Sequence, residues 1–134
     1  MNYKIVTKTP EIHSVPLSNI CINDREFFVE FDDISEQRWR MDFKTNFAWK
    51  STCVDYLEIN PLLIKELIDD KNVFHSYVVE VIDSIWLNEL KQNYISSEEQ
   101  IIDQAHHYLL FLDENLVEVL AFDNYSLELI TMPK

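Results

Sequence analysis

A chain of 134 residues with 47% hydrophobic content, three Trp, six Tyr and eight Phe has enough apolar mass to bury a core, and its size is that of one domain over residues 1–134. Eleven Lys and Arg against 24 Asp and Glu give a formal charge of −13, which argues against nucleic acid and anionic membranes as partners and for a basic partner, a cation or plain solubility. Gly is absent, and with it any Gly-rich phosphate loop, dinucleotide fingerprint or nucleophile elbow.

In chain order, Tyr3-Lys-Ile-Val-Thr7 reads as a first strand. The opening residues carry no apolar h-region and no run approaches the length of a membrane span, so the expectation is a cytoplasmic, untargeted protein. Pro10 and Pro16 bracket a segment that resists regular structure, with His13 in it as an exposed loop histidine. Ile20-Cys-Ile22 is short and apolar, and Asn23-Asp24 turns. Phe27, Val29 and Phe31 alternate with polar neighbours, as do Trp39, Met41 and Phe43. Period-2 alternation on both sides of a polar break predicts a hairpin with one buried face. Its outer face would set Glu30 and Asp32 near Arg38 and Arg40. Phe47-Ala-Trp-Lys50 resumes after a turn, and Cys53 to Leu57 is one more strand or a loop.

Asn60-Pro61 has the cap and first-position residues of a helix start, and Leu63, Ile64, Leu67 and Ile68 make a stripe, predicting a short helix from about 61 to 69. The β-branched run from Val73 predicts a strand at 73–82, followed by a helix, Ile85-Trp-Leu-Asn-Glu-Leu90, capped by Asp83 or Ser84; the alternative is one long helix from 73 to 91. Ser96–Glu99 or Ser97–Gln100 has capping-box spacing before one helical turn around Ile101, Ile102 and Ala105.

His107-Tyr-Leu-Leu-Phe-Leu and Leu116-Val-Glu-Val-Leu-Ala-Phe122 flank Asp113-Glu-Asn and read as a hairpin apolar on both faces, hence interior strands with something packed on each side. Tyr125, Leu127 and Leu129 then alternate with Ser126 and Glu128, predicting a third strand that closes a meander. The expected fold is α+β: a mainly antiparallel twisted sheet with a C-terminal meander and two or three short helices packed on it. In a chain without Gly, turns fall to Asn, Asp, Ser, Pro or Lys, and Asn and Asp best tolerate the left-handed conformation.

The sequence offers no catalytic residue set. His75, His106 and His107 with Glu80 and Asp103 invite a metal reading, but adjacent histidines in a strand point to opposite faces, and no HExxH or CxxC spacing exists. No metal site and no cofactor is therefore expected. Cys21 and Cys53 are too few for a disulfide framework and read as reduced, buried thiols.

The block Val78-Val-Glu-Val-Ile-Asp-Ser-Ile-Trp-Leu-Asn-Glu-Leu90, then His107-Tyr-Leu-Leu-Phe and Val117-Glu-Val-Leu-Ala121, together with Phe43-x₃-Phe-Ala-Trp-Lys50, resembles a class of small bacterial proteins that includes toxin-immunity proteins of contact-dependent inhibition and related polymorphic toxin systems. The resemblance spans roughly residues 36–122, and it implies a non-enzymatic protein that binds a cognate toxin domain and covers its active site. Many such toxins are basic nucleases, and a strongly acidic partner suits them through electrostatic steering. The expected contacts are acids taken to be exposed near turns: Glu30, Asp32, Asp33, Glu36, Asp113, Glu114 and Glu118. Two rivals stand beside this reading: a self-associating structural or adaptor domain using an uncovered sheet edge, and a small ligand-binding protein or hydrolase with a pocket between helix and sheet.

Overall fold

Alternating strands make two antiparallel sheets in a computed structural model that describes residues 2–24, 26–57, 59–93 and 104–130. The described strands are β1 (Tyr3–Ile5), β2 (Asn19–Ile22), β3 (Phe27–Asp32), β4 (Arg38–Asp42), β5 (Asn46–Cys53), β6 (Val79–Val81), β7 (His106–Phe111), β8 (Asn115–Ala121) and β9 (Ser126–Ile130), and among the described residues there is one α-helix, α1 (Ile85–Gln92), where two or three short helices were expected. One sheet has the order β1-β6-β7-β8-β5 and the other β2-β3-β4-β9.

The alternation in β3 and β4 sets the second sheet. Phe27, Val29, Phe31 and Met41 are buried on one face, with Phe43 just beyond β4, while Glu30 pairs across to Arg40 and Asp32 to Arg38. The Arg38–Asp32 contact is 3.0 Å and the Arg40–Glu30 contact 2.8 Å, as the hairpin pattern predicts. The buried face meets Tyr108, Leu110, Val117, Val119 and Ala121 from β7 and β8 in one core. Phe43, Tyr108 and Tyr125 touch ring to ring at this seam.

Both faces of β7 and β8 are covered, as their two-sided apolarity predicts. Behind them, Leu109, Phe111 and Leu116 pack with Ile64 and Leu67, and Leu120 packs with Leu87, Trp86 and Leu90. Ser84, not Asp83, caps α1, its Oγ accepting the Leu87 amide at 3.0 Å. The alternative of one helix over 73–91 is ruled out.

Four expectations are corrected. The closing strand does not complete a meander: β8 pairs with β7 and β5, whereas β9 leaves that sheet and pairs with β4, Leu127 opposite Met41. The alternation in β9 needs one apolar surface beneath it, and the second sheet supplies that as well as the first would. The chain changes sheet twice at one corner, between β4 and β5 and between β8 and β9. There the Phe122 amide donates to Thr45 O and Asn124 Nδ2 to Thr45 Oγ1.

The helix predicted over 61–69 is instead two 3₁₀ turns, Pro61–Leu63 and Lys65–Leu67. Asn60 does cap the first, accepting the Leu62 amide, but Ile64 between them is extended at φ −87° and ψ 97°. Ile64 and Leu67 are buried three residues apart, the 3₁₀ spacing, and Leu62 and Leu63 face outward. The strand expected at 73–82 has a ladder only at Val79–Val81; Phe74 and Ser76 make single bridges to Ile68 and Ile12. The thiols are not buried: Cys21 is half-buried and Cys53 exposed, both free. The capping boxes at 96–100 and the turn at Ile101 and Ile102 lie outside the described residues.

Candidate functional site

Where β7 ends, several chain segments leave an open cleft of about 550 Å³. Phe111 and Leu112 come from the end of β7, Val54, Leu57 and Pro61 from the segment after β5, Phe74 and Ser76 from the stretch before β6, and Glu11 to Ser14 from the Pro-bracketed segment. Backbone hydrogen bonds fix these pieces: Ile12 N to Ser76 O, Ile34 N to Glu11 O, Val54 N to Glu114 O. Ser76 Oγ donates to Phe111 O at 3.0 Å, so the buried hydroxyl is satisfied and the interior of the cleft stays apolar.

The mouth carries large exposed apolar side chains. Ile34 is 58% and Val54 42% exposed, and Tyr56, Leu62 and Leu63, close to lining residues in the chain, are exposed further. Among the described residues, the Asp and Glu side chains in its lining, Glu11 and Asp113, are not matched by Lys or Arg there, and Asp55, Glu114 and Glu36 are one or two positions from Val54, Asp113 and Ile34. An apolar centre rimmed by like charge has the anatomy of a protein-binding patch.

One wall is held by a charged clasp. His75 Nε2 lies 2.8 Å from Asp69 Oδ2, His75 Nδ1 3.2 Å from Glu11 Oε1, and Tyr77 donates its hydroxyl to the same Glu11 oxygen. The hydrogen bond to Asp69, then that to Glu11, raises the His75 pKa above its ordinary value. His13, expected as an exposed loop residue, is half-buried in the cleft lining and accepts the Val15 amide at Nδ1.

The seven acids expected as contacts divide three ways. Asp113, Glu114 and Glu36 are exposed beside the cleft. Glu30 and Asp32 lie on the outer face of the second sheet in their ion pairs with Arg40 and Arg38. Asp33 and Glu118 are only 6% and 5% exposed, which corrects their reading as surface charges. Burial would raise the Asp33 carboxyl, but the Trp39 indole N–H and the Gln37 and Ser35 amides outweigh it and hold it below the ordinary value. This carboxylate shapes the β3–β4 turn.

Glu118 belongs to a buried chain of hydrogen bonds behind the first sheet. Ser84 Oγ is 2.6 Å from His107 Nδ1, His107 Nε2 is 2.9 Å from Glu118 Oε1, and Lys50 Nζ is 3.6 Å from Glu118 Oε2. In the tautomer with Nε2 protonated, Nε2–H donates to the carboxylate and the Ser84 hydroxyl donates to Nδ1 while its oxygen accepts the Leu87 amide. Serine, histidine and carboxylate are the residue types of a nucleophilic triad, but Ser84 and His107 are each 4% exposed and Ser84 is committed to its helix cap. The set ties α1 to β7 and β8. His106, on the opposite face, pairs with Glu80 at 2.7 Å. Among the described residues, no group of three or more His, Cys, Asp or Glu could hold a metal ion, and no helix is long and apolar enough to cross a membrane.

Sequence reasoning missed the cleft because its lining comes from segments far apart in the chain. Glu118 had a readable signal. A strand apolar on both faces buries whatever acid it contains, and His107 on the neighbouring strand was the available partner. Comparison of the chain with family models, with curated proteins and with solved structures finds no match.

Proposed function

We propose that this chain is a non-enzymatic immunity protein that neutralises a cognate, basic, nuclease-type toxin domain by docking the cleft and its acidic rim over the toxin's active site. The observation that supports this most is the cleft itself, with exposed Ile34 and Val54 at an apolar mouth and, among the described residues, acids but no Lys or Arg in its lining. A basic partner would be drawn in by the net charge of −13, and an apolar side chain seated among Leu57, Phe74 and Phe111 would set the lifetime of the complex. The resemblance over residues 36–122 points the same way. The chain would act in the cytoplasm, without a cofactor.

The test is to express the C-terminal toxic domain encoded beside this chain, with and without it, and to measure growth and binding. Relief of growth arrest and nanomolar binding that weakens with salt are expected. Ile34→Asp should weaken the complex by about tenfold or more. A harmless neighbour, or one that neither binds nor is neutralised, would overturn the proposal. Full affinity in Ile34→Asp would move the interface off the cleft.

A second reading has one observation in its favour. Among the described residues β5, at eight residues, is the longest strand and pairs on one side only, with β8, and Trp49 on it is 42% exposed. An uncovered edge of that length suits a self-associating module. Light scattering on the isolated chain distinguishes the two: a stable oligomer favours self-association, and a monomer favours the partner-binding reading.

A further inference from the structure

Away from the cleft, β1 and the residues after it, β6, β7 and the loop after β8 line a separate, open polar cavity of about 250 Å³. Lys4, Glu80 and Tyr108 form a row across its floor, each opposite the next on neighbouring strands. Tyr108 is 2% exposed, and its ring is packed against Phe43 and Tyr125. Tyr108 lines the cavity, and its hydroxyl makes no hydrogen bond among the described residues and is not sealed from solvent. A phenol oxygen beside a polar cavity with no protein partner is open to water or to a ligand atom. The volume exceeds what a bridging water needs and falls just below that of drug-sized pockets.

The charges around the cavity are sorted by side. Lys4 and Lys8 come from β1 and the residues following it, and neither has an ion-pair partner among the described residues. Glu80 and Asp123 come from β6 and the loop after β8, and His106 of β7 lines the cavity beside Glu80 and stacks on the Tyr108 ring. Glu80 lies opposite Lys4 in the ladder but is engaged by His106 Nδ1 at 2.7 Å instead. A ligand with a single charge would meet an unfavourable group on one side, whereas a dipolar one matches both.

We propose that this cavity binds a small zwitterion, an ammonium and a carboxylate on one short skeleton as in a free amino acid, with its carboxylate toward Lys4 and Lys8 and its ammonium toward Glu80, Asp123 and the Tyr108 oxygen. Burial, then the charges of Glu80, Tyr125 and Asp123, push the Tyr108 phenol above its ordinary pKa. It therefore stays protonated and offers the ammonium a neutral acceptor. This site is independent of the cleft and of the toxin-binding reading.

The experiment titrates the full chain with each of the common L-amino acids in turn, by calorimetry and by thermal shift, and with propionate and ethylamine as singly charged probes. Saturable binding of at least one amino acid, accompanied by a rise in melting temperature, is expected. It should weaken about tenfold in Lys4→Ala, an exposed position that leaves the core untouched, and comparably in Tyr108→Phe, which keeps the ring and removes only the hydroxyl. No amino acid binding to the wild-type chain would overturn the proposal. So would binding indifferent to both substitutions, or propionate or ethylamine binding as tightly as the amino acid.

Discussion

Glu118 sits in Leu116-Val-Glu-Val-Leu120, and everything around it in the chain is apolar. A carboxylate there is tolerable only with its oxygens engaged, and His107 and Lys50 engage them. His107→Leu removes one partner and leaves the acid buried, so it should cost about 3–5 kcal/mol in denaturant unfolding. His107→Leu combined with Glu118→Leu should recover much of that loss, because the pair is then replaced by apolar surface. If the double variant is as unstable as the sum of the singles, the two residues act separately. Glu36 presents the reverse case, an exposed acid in a strained backbone. In a chain without Gly the left-handed positions among the described residues fall to Leu17, Glu36 and Asn72, at φ 49°, 63° and 63°, and of these only Asn72 is of a type suited to it. Glu36→Gly should stabilise the fold by about 1 kcal/mol, a rise of roughly 3–5 °C in melting temperature. An unchanged or lower melting temperature would show that the Glu36 side chain contributes more than the strain costs.

At the scale of elements, what could be read from sequence depended on whether a pattern admits one solution. The β3–β4 hairpin was legible to the level of its ion pairs, since strict alternation fixes the buried face and the register follows from the turn. The doubly covered β7–β8 pair was legible for the same reason. β9 was legible as a strand but not in its pairing, because Tyr125, Leu127 and Leu129 fit either sheet. The stripe at 63–68 misled because two 3₁₀ turns and an α-helix bury the same Ile64 and Leu67. The clasp at His75 joins elements that no local pattern connects, and it makes a pH prediction. Its folded pKa is raised above 6.5, so its contribution to stability is complete below that value. The contribution fades as pH rises through the raised folded value, as the bound proton is lost. Asp69 has its pKa lowered, first by His75 and then by the Val73 amide, so its contribution holds above 3.8 and is lost as pH falls through the depressed value. The melting temperature of the wild-type chain should therefore fall relative to His75→Gln as pH rises above about 6.5. Parallel curves for the two proteins would show that the clasp carries no net proton linkage.

For the molecule as a whole, charge and apolar surface divide the labour. The Arg38 and Arg40 guanidiniums are matched on the outer face of the second sheet, and the cleft keeps acids around an apolar mouth. If the proposed basic partner docks on the cleft, ionic strength should act on its association rate, slowing it several-fold between low and physiological salt, while substitutions at Ile34 or Val54 act on dissociation. Stopped-flow binding separates the two rates. Salt acting only on dissociation would contradict the steering account. The crossing of β9 to β4 bears on something else, the time the chain needs to fold. Each sheet contains a pairing that spans much of the sequence: β9 reaches back from Ser126–Ile130 to Arg38–Asp42, and β1 lies against β6. Neither sheet can finish from its own hairpins, so loop-closure entropy must be met before these non-local ladders form. Refolding in milliseconds to seconds, rather than microseconds, is the expected consequence. In any state where β9 is not yet docked, the edge of β4 and the apolar seam beneath it would lie open to other chains, and repulsion between strongly negative chains would oppose their pairing.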